Sequence, residues 1–214
     1  ITVRDWSSDV CSSDLPFRWA VTLTIARPQA LQRVALPVWI PGSYLVREFA
    51  RHVSGLTARQ GRAVCPAQAV DKCTWQVQAA PGKPLVIRYE VYAFDDSVRA
   101  AWLDAARGFF NATALLLRVP ELADGPHAIT LHRPADPTAA HWRVATALTA
   151  QSVDADGFGS YLAASYDELA DSPVEMGAFW QGEFSVRGVP HRFVVAGAPP
   201  SFDGQNGSDR KSVV

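Results

Sequence analysis

The 214-residue chain predicts a mostly-β fold, an antiparallel β-sandwich-like domain with few short helices. Three observations point there. Apolar and polar residues alternate in short runs, as they do where one strand face is buried and the other is wet. Gly and Pro clusters fall between the runs and end them. Helical periodicity is weak and local.

Ala20–Ile25 alternates cleanly, and Gln32–Leu36 repeats the pattern before Pro37. Thr74–Gln78 alternates again. Leu85–Phe94 is the strongest strand signal, rich in β-branched and aromatic residues. Pro81-Gly82-Lys83-Pro84 reads as the turn between those two strands. Further strands are expected over Leu115–Val119, Ala128–His132, Arg143–Leu148, Glu183–Arg187 and His191–Val195. The last two flank Gly188-Val189-Pro190 as a hairpin turn, with Pro190 at a strand start. Tyr44–His52 could hold a turn or two of helix. Ser97–Arg107 is expected to be helical, capped by Ser97, with Val98, Ala101, Trp102 and Ala105 on one face. Ser165 caps a short turn, Tyr166–Ala170, which Pro173 stops from extending. Strands with so little helix between them argue against βαβ units.

Hydrophobic residues make up 48% and charged residues 19%, the balance of a chain with a core. The net charge of −1, without runs of either sign, lacks the electrostatic footprint of a nucleic-acid binder or a polybasic membrane surface. No apolar stretch is long enough to span a bilayer as a helix. Cys11, Cys65 and Cys73 form no C-x-x-C pair; Cys65 and Cys73 either bridge in an oxidising compartment or stay as thiols. The compartment, cytoplasmic or periplasmic, is open.

Both ends read as foreign. Asp5–Leu15 shows no apolar period, and Gly207–Val214 is equally patternless. Cys11–Leu15 can be back-translated to contain GCTCTTCCGATC. Its reverse complement, GATCGGAAGAGC, translates as Asp-Arg-Lys-Ser, the run Asp209–Ser212. Residues 1–15 and 207–214 are therefore read as non-native, adapter-derived segments that supply nothing to the core.

The most distinctive stretch is Leu36-Pro37-Val38-Trp39-Ile40-Pro41-Gly42-Ser43-Tyr44-Leu45-Val46-Arg47-Glu48-Phe49. Pro41 and Gly42 set a sharp turn, Trp39 and Tyr44 bring large apolar areas with polar tips, and Arg47 offers a planar fork. Such aromatics are more often core than ligand platform, so a rigid structural corner is expected. The stretch resembles the amino-terminal domain of the glycyl aminopeptidases, metallopeptidase family sixty-one. The resemblance continues in order through Tyr89–Arg99, Arg107–Thr113, Trp142–Thr146 and Tyr166–Glu175, covering about residues 17–200. It implies an amino-terminal β-domain followed by a thermolysin-like zinc domain and a PDZ domain, in an enzyme that removes amino-terminal residues from peptides.

The family's zinc site needs H-E-x-x-H on a helix, two imidazoles one turn apart with a glutamate to activate water. His52, His127, His132, His141 and His191 include no pair at that spacing. The resemblance thus implies no catalytic residue and no metal ligand here, with zinc expected in the catalytic domain that follows. The expected organisation is a β-domain over residues 16–165, then a connector and the first strands of a truncated catalytic domain over 166–206. The expected partners are that carboxy-terminal domain and, in the parent, a peptide substrate. Asp171 and Glu175, in an acidic cluster with Asp167 and Glu168, are the substrate-cleft candidates, able to hold an α-ammonium by charge-assisted hydrogen bonds. A solvated acidic linker is the plainer alternative. The rival function is a free-standing β-sandwich module that binds carbohydrate or protein on an aromatic platform of Trp39, Tyr44 and Trp102.

Overall fold

The computed structural model describes residues 5–12, 17–40 and 43–197. In chain order its strands are β1 (Trp6–Ser12), β2 (Arg18–Ile25), β3 (Leu31–Ala35), β4 (Val53–Gln60), β5 (Ala63–Cys65), β6 (Ala67–Ala69), β7 (Thr74–Gln78), β8 (Leu85–Tyr92), β9 (Ala101–Leu103), β10 (Arg107–Phe110), β11 (His127–Leu131), β12 (Arg143–Thr146), β13 (Thr149–Val153), β14 (Gly159–Ala163), β15 (Val174–Gly177), β16 (Phe179–Val186) and β17 (Val189–Ala196). Two short helices, α1 (Ala112–Leu115) and α2 (Tyr166–Ala170), complete a mostly-β fold of several antiparallel sheets.

The main sheet runs β13-β14-β11-β1-β2-β8-β4-β5. Its alternation is the one legible in the sequence: Trp19, Val21, Leu23 and Ile25 of β2, and Leu85, Ile87, Tyr89 and Val91 of β8, all point into the core. A second sheet, β12-β15-β10-β9, packs on that face. Gly108 of β10 marks the closest approach, because a Cβ there would lie 2.7 Å from the Trp19 ring and 3.3 Å from Trp142. β3-β7-β6 forms a third sheet and β16-β17 a separate hairpin.

Between the layers runs a buried stretch, Leu115–Leu117, that no sheet adopts. A strand was expected there, but its neighbours are side chains and a single bridge, Ala35↔Arg118. Tyr89 Oη donates to Leu115 O (2.9 Å) and accepts from Leu117 N–H (3.1 Å), while Tyr166 Oη donates to Leu116 O (2.7 Å). Burial raises the pKa of both phenols.

Four expectations are corrected. Residues 97–107 are not helical: Ala101 and Leu103 point inward on β9, and Asp104 Oδ1 accepts from the N–H groups of Ala106 and Arg107 (both 2.8 Å) to turn the chain into β10. Two-residue alternation, not the helical stripe, decides the segment. The hairpin turn is Arg187-Gly188, both with positive φ (51° and 79°), as a two-residue turn of the tight hairpin type requires. Val189 and Pro190 already pair with Val186 and Ser185. The segment from Asp5 does carry a face: Trp6 and Val10 are fully buried and β1 sits between β2 and β11. Ser8, buried between them, hides the period from a hydropathy reading. Finally, the boundary expected after residue 165 falls inside the domain. Ser165 does cap α2, accepting from Glu168 N–H at 3.2 Å. Yet Tyr166, Leu169, Val174 and Met176 are core, and β15 is an inner strand of the second sheet. The break comes after β15, at the largely exposed β16–β17 hairpin.

Tyr89→Phe strips two buried main-chain groups of a partner and Tyr166→Phe one; each orphaned group costs about 1–3 kcal/mol, so urea unfolding should show the larger loss in Tyr89→Phe. Hydrogen exchange should be slow in β8 and fast in β16–β17, whose exposed strands make few core contacts. His127 gives a pH prediction. Its Nδ1 lies 2.7 Å from Gly125 O, its Nε2 is buried without a partner, and burial lowers its pKa from 6.5. As pH falls below 6.5 the unfolded chain takes up a proton that the folded ring refuses, so this stability is present above that pH and lost below it. Denaturation at about pH 7.5 and about pH 5.5, on either side of the free imidazole's range, should show the loss, and His127→Phe should make it smaller.

Candidate functional site

The loop leaving β3 is pinned at few points. Leu36 N–H donates to Cys73 O (3.0 Å), Ser43 N–H to Ile40 O (3.1 Å) and Arg47 N–H to Val38 O (2.7 Å). Arg47 Nε donates to Ser43 Oγ at 3.3 Å. Ile40, Ser43, Phe49 and Ala50 are buried as anchors. Pro41 and Gly42 lie outside the described residues. The expectation of a corner with core aromatics is only half right, because the outward residues are the apolar ones. Trp39 is 56% exposed, Tyr44 fully so, and Val38, Leu45 and Val46 are exposed with them.

This loop forms one lip of a cavity of about 580 Å³. Arg47, Glu48, Arg51 and His52 line one side, and Tyr92, Phe94, Asp95 and Asp96 line the other. Arg51 Nε donates to His52 Nε2 (3.0 Å), while burial, and then the Arg51 charge, lower the imidazole's pKa against the opposing pull of Asp95. Asp95 Oδ1 accepts from Ser97 N–H at 2.9 Å. The cavity lining thus combines two guanidinium groups, three carboxylates and the rings of Phe49, Tyr92 and Phe94. Sequence reasoning missed Arg51, His52, Tyr92 and Asp96; they come from separate segments, and no spacing connects them.

Glu175 and Asp171 part company. Glu175, on β15, receives both guanidinium arms of Arg107 from β10, at 3.1 and 2.9 Å. Burial raises its pKa and the Arg107 bonds oppose that rise. Its carboxylate lines a second cavity, of about 620 Å³, with Phe109, Pro190, His191 and Arg192 between the second sheet and the hairpin. Asp171 is exposed at the end of α2 and does not line that cavity. Trp102 stacks on Phe94 (4.4 Å) with its indole N–H buried, turned away from the platform role. Cys65 and Cys73 are free thiols.

The histidines stay apart. His132 faces Asp9 at 3.3 Å, and His191 Nδ1 lies 2.9 Å from Val189 O. Among the described residues no three His, Cys, Asp or Glu side chains converge to hold a metal ion, so these residues do not fit a zinc site. No described helix is long and apolar enough to cross a membrane.

The described residues form a strand-rich layered domain with two cavities at its surface. The Peptidase M61 N-terminal domain matches residues 17–178, and the chain belongs to that family. The match ends where the structure ends its second sheet. An aminopeptidase N family protein from Idiomarina loihiensis is 36% identical, with a TM-score of 0.89 over 95% of this chain and 34% of its own. Legionella pneumophila aminopeptidase A in complex with aspartic acid is 11% identical, with a TM-score of 0.49 over 94% of this chain and 25% of its own. This chain thus spans about a third of the first and a quarter of the second. No curated protein matches it.

Arg107→Ala would leave the Glu175 carboxylate, 14% exposed, without its counter-charge. Because the guanidinium is itself 35% exposed and solvent screens the pair, the cost should be about 1–3 kcal/mol. The double variant with Glu175→Gln should recover part of it, as a thermal-shift comparison would show.

Proposed function

We propose that this domain packs against the catalytic domain of its parent aminopeptidase and walls one side of the peptide cleft. The observation that carries the reading is the loop from Val38 to Val46, whose buried anchors hold five apolar side chains outward beside a charge-lined cavity. Apolar residues that a fold holds out in solvent mark a surface that another body covers. The β16–β17 hairpin, with Val186, Val189 and Phe193 exposed, offers a second contact to the same body. Zinc belongs to the parent's catalytic domain in this reading, and the present residues contribute shape and charge to recognition of the substrate's amino terminus.

The test is made on the full-length parent. Trp39→Ala with Tyr44→Ala should lower kcat/KM on an alanine or glycine anilide by about tenfold or more, the equivalent of 1.4 kcal/mol. The same pair in the present chain should leave its melting temperature unchanged, since neither side chain is core. Unaltered kinetics in the parent would refute the docking surface. The present chain alone should turn over neither anilide and bind no stoichiometric zinc; turnover that survives replacement of all five histidines would contradict the account.

A further inference from the structure

One strand of the main sheet is a poor chemical match for its place. β1 pairs antiparallel with β2, from Trp6↔Ile25 to Ser12↔Trp19, and parallel with β11, from Trp6↔His127 to Val10↔Leu131. Those ladders use main-chain groups that almost any sequence supplies. Specificity has to come from the side chains that enter the core, Trp6, Ser8 and Val10. Ser8 is 1% exposed, stands opposite Leu23 and Ile129, both fully buried, and its hydroxyl has no hydrogen-bond partner. The Trp6 indole N–H is likewise buried and unpartnered. An orphaned hydroxyl among aliphatic side chains is a position that favours an apolar residue. The family match adds an independent observation. It begins at residue 17, after β1, while β2 and β11 on either side fall within it.

We propose that the gap between β2 and β11 is an acceptor site for an extended peptide strand, selective for apolar side chains at the inward positions of residues 6, 8 and 10, and that residues 6–12 fill it as an imperfect occupant. The preferred occupant is an extended peptide with an apolar side chain at each of those three inward positions, facing Leu23 and Ile129 where Ser8 now stands. Such a strand would make the same main-chain ladders and place an apolar side chain where Ser8 stands. The binding mode is strand addition inside a sheet: main-chain bonds hold the peptide, and alternate side chains select it. A central slot left empty would expose two unpaired strand edges and the core beneath them, so the fold needs an occupant more than it needs this one.

The test uses the full chain with a specific protease site inserted between residues 13 and 16 and cut after folding. Three labelled peptides are then offered in excess: residues 1–12 as they stand, the same with Ser8→Val, and the same with Ser8→Asp. The Ser8→Val peptide should displace the cut segment and bind at least about tenfold tighter than the unmodified one, while the Ser8→Asp peptide should not bind. Equal affinity of the first two, failure of any peptide to exchange, or loss of the segment with an unchanged melting temperature would overturn the proposal. The uncut chain supplies a separate readout should cutting unfold the protein. There Ser8→Val should raise the melting temperature and Ser8→Asp lower it, and a Ser8→Val variant no more stable than the parent chain would also overturn it.

Discussion

Two phenolic hydroxyls hold the centre of this domain. The stretch Leu115–Leu117 leaves the end of α1 fully buried, and its peptide groups join none of the sheets. Tyr89, from the main sheet, and Tyr166, from α2, reach it from opposite elements and satisfy three of those groups. Segments far apart in sequence converge on the same place. Asn111 caps α1 through Thr113 N–H (3.0 Å) and ties it to α2 by donating to Ala170 O (3.2 Å), while Ala35 and Arg118 bridge to the third sheet. Without those bonds the layers could still be apolar but would have no common register, because burial alone is non-directional.

That arrangement also explains where the domain ends. α2 and β15 cannot be a linker, since Tyr166 completes the buried network and β15 pairs on both sides, with β10 and β12. Beyond Gly177 the hairpin is tied to the body by Arg143, which donates to Phe179 O and lies over its ring, and by Arg192, which donates to Thr146 O at 3.0 Å. The acidic residues 167–175 read as a solvated connector in one dimension. In three, Glu175 is a neutralised partner within a sheet, and Asp171 is a surface residue beyond a helix end.

The division between core and surface leaves the exposed apolar loop and the charged cavity outside the packed layers. The apolar loop around Trp39 and Tyr44 and the cavity walled by Arg47, Arg51, Asp95 and Asp96 contribute little to the core. Substitutions of their exposed side chains therefore leave the packed layers intact. A relative with 36% identity keeps that framework across nearly the whole chain.

The sequence by itself determined the mostly-β class, the alternating strands β2, β3, β7, β8 and β11, and the Ser165 cap, because each depends on local periodicity or a local hydrogen bond. It also carried the family, through blocks whose order survives without any knowledge of contacts. Only the tertiary structure decided the rest. β9 lost a plausible helical stripe to pairing with β10, and Ser8 concealed a buried strand whose identity rests on main-chain ladders rather than hydropathy. The expected strand at 115–119 became a side-chain-bonded core segment, and Trp39 and Tyr44 turned outward. The reason is common to all of them: strand pairing, burial and exposure are properties of what lies opposite a residue, and the opposite residue is usually distant in sequence.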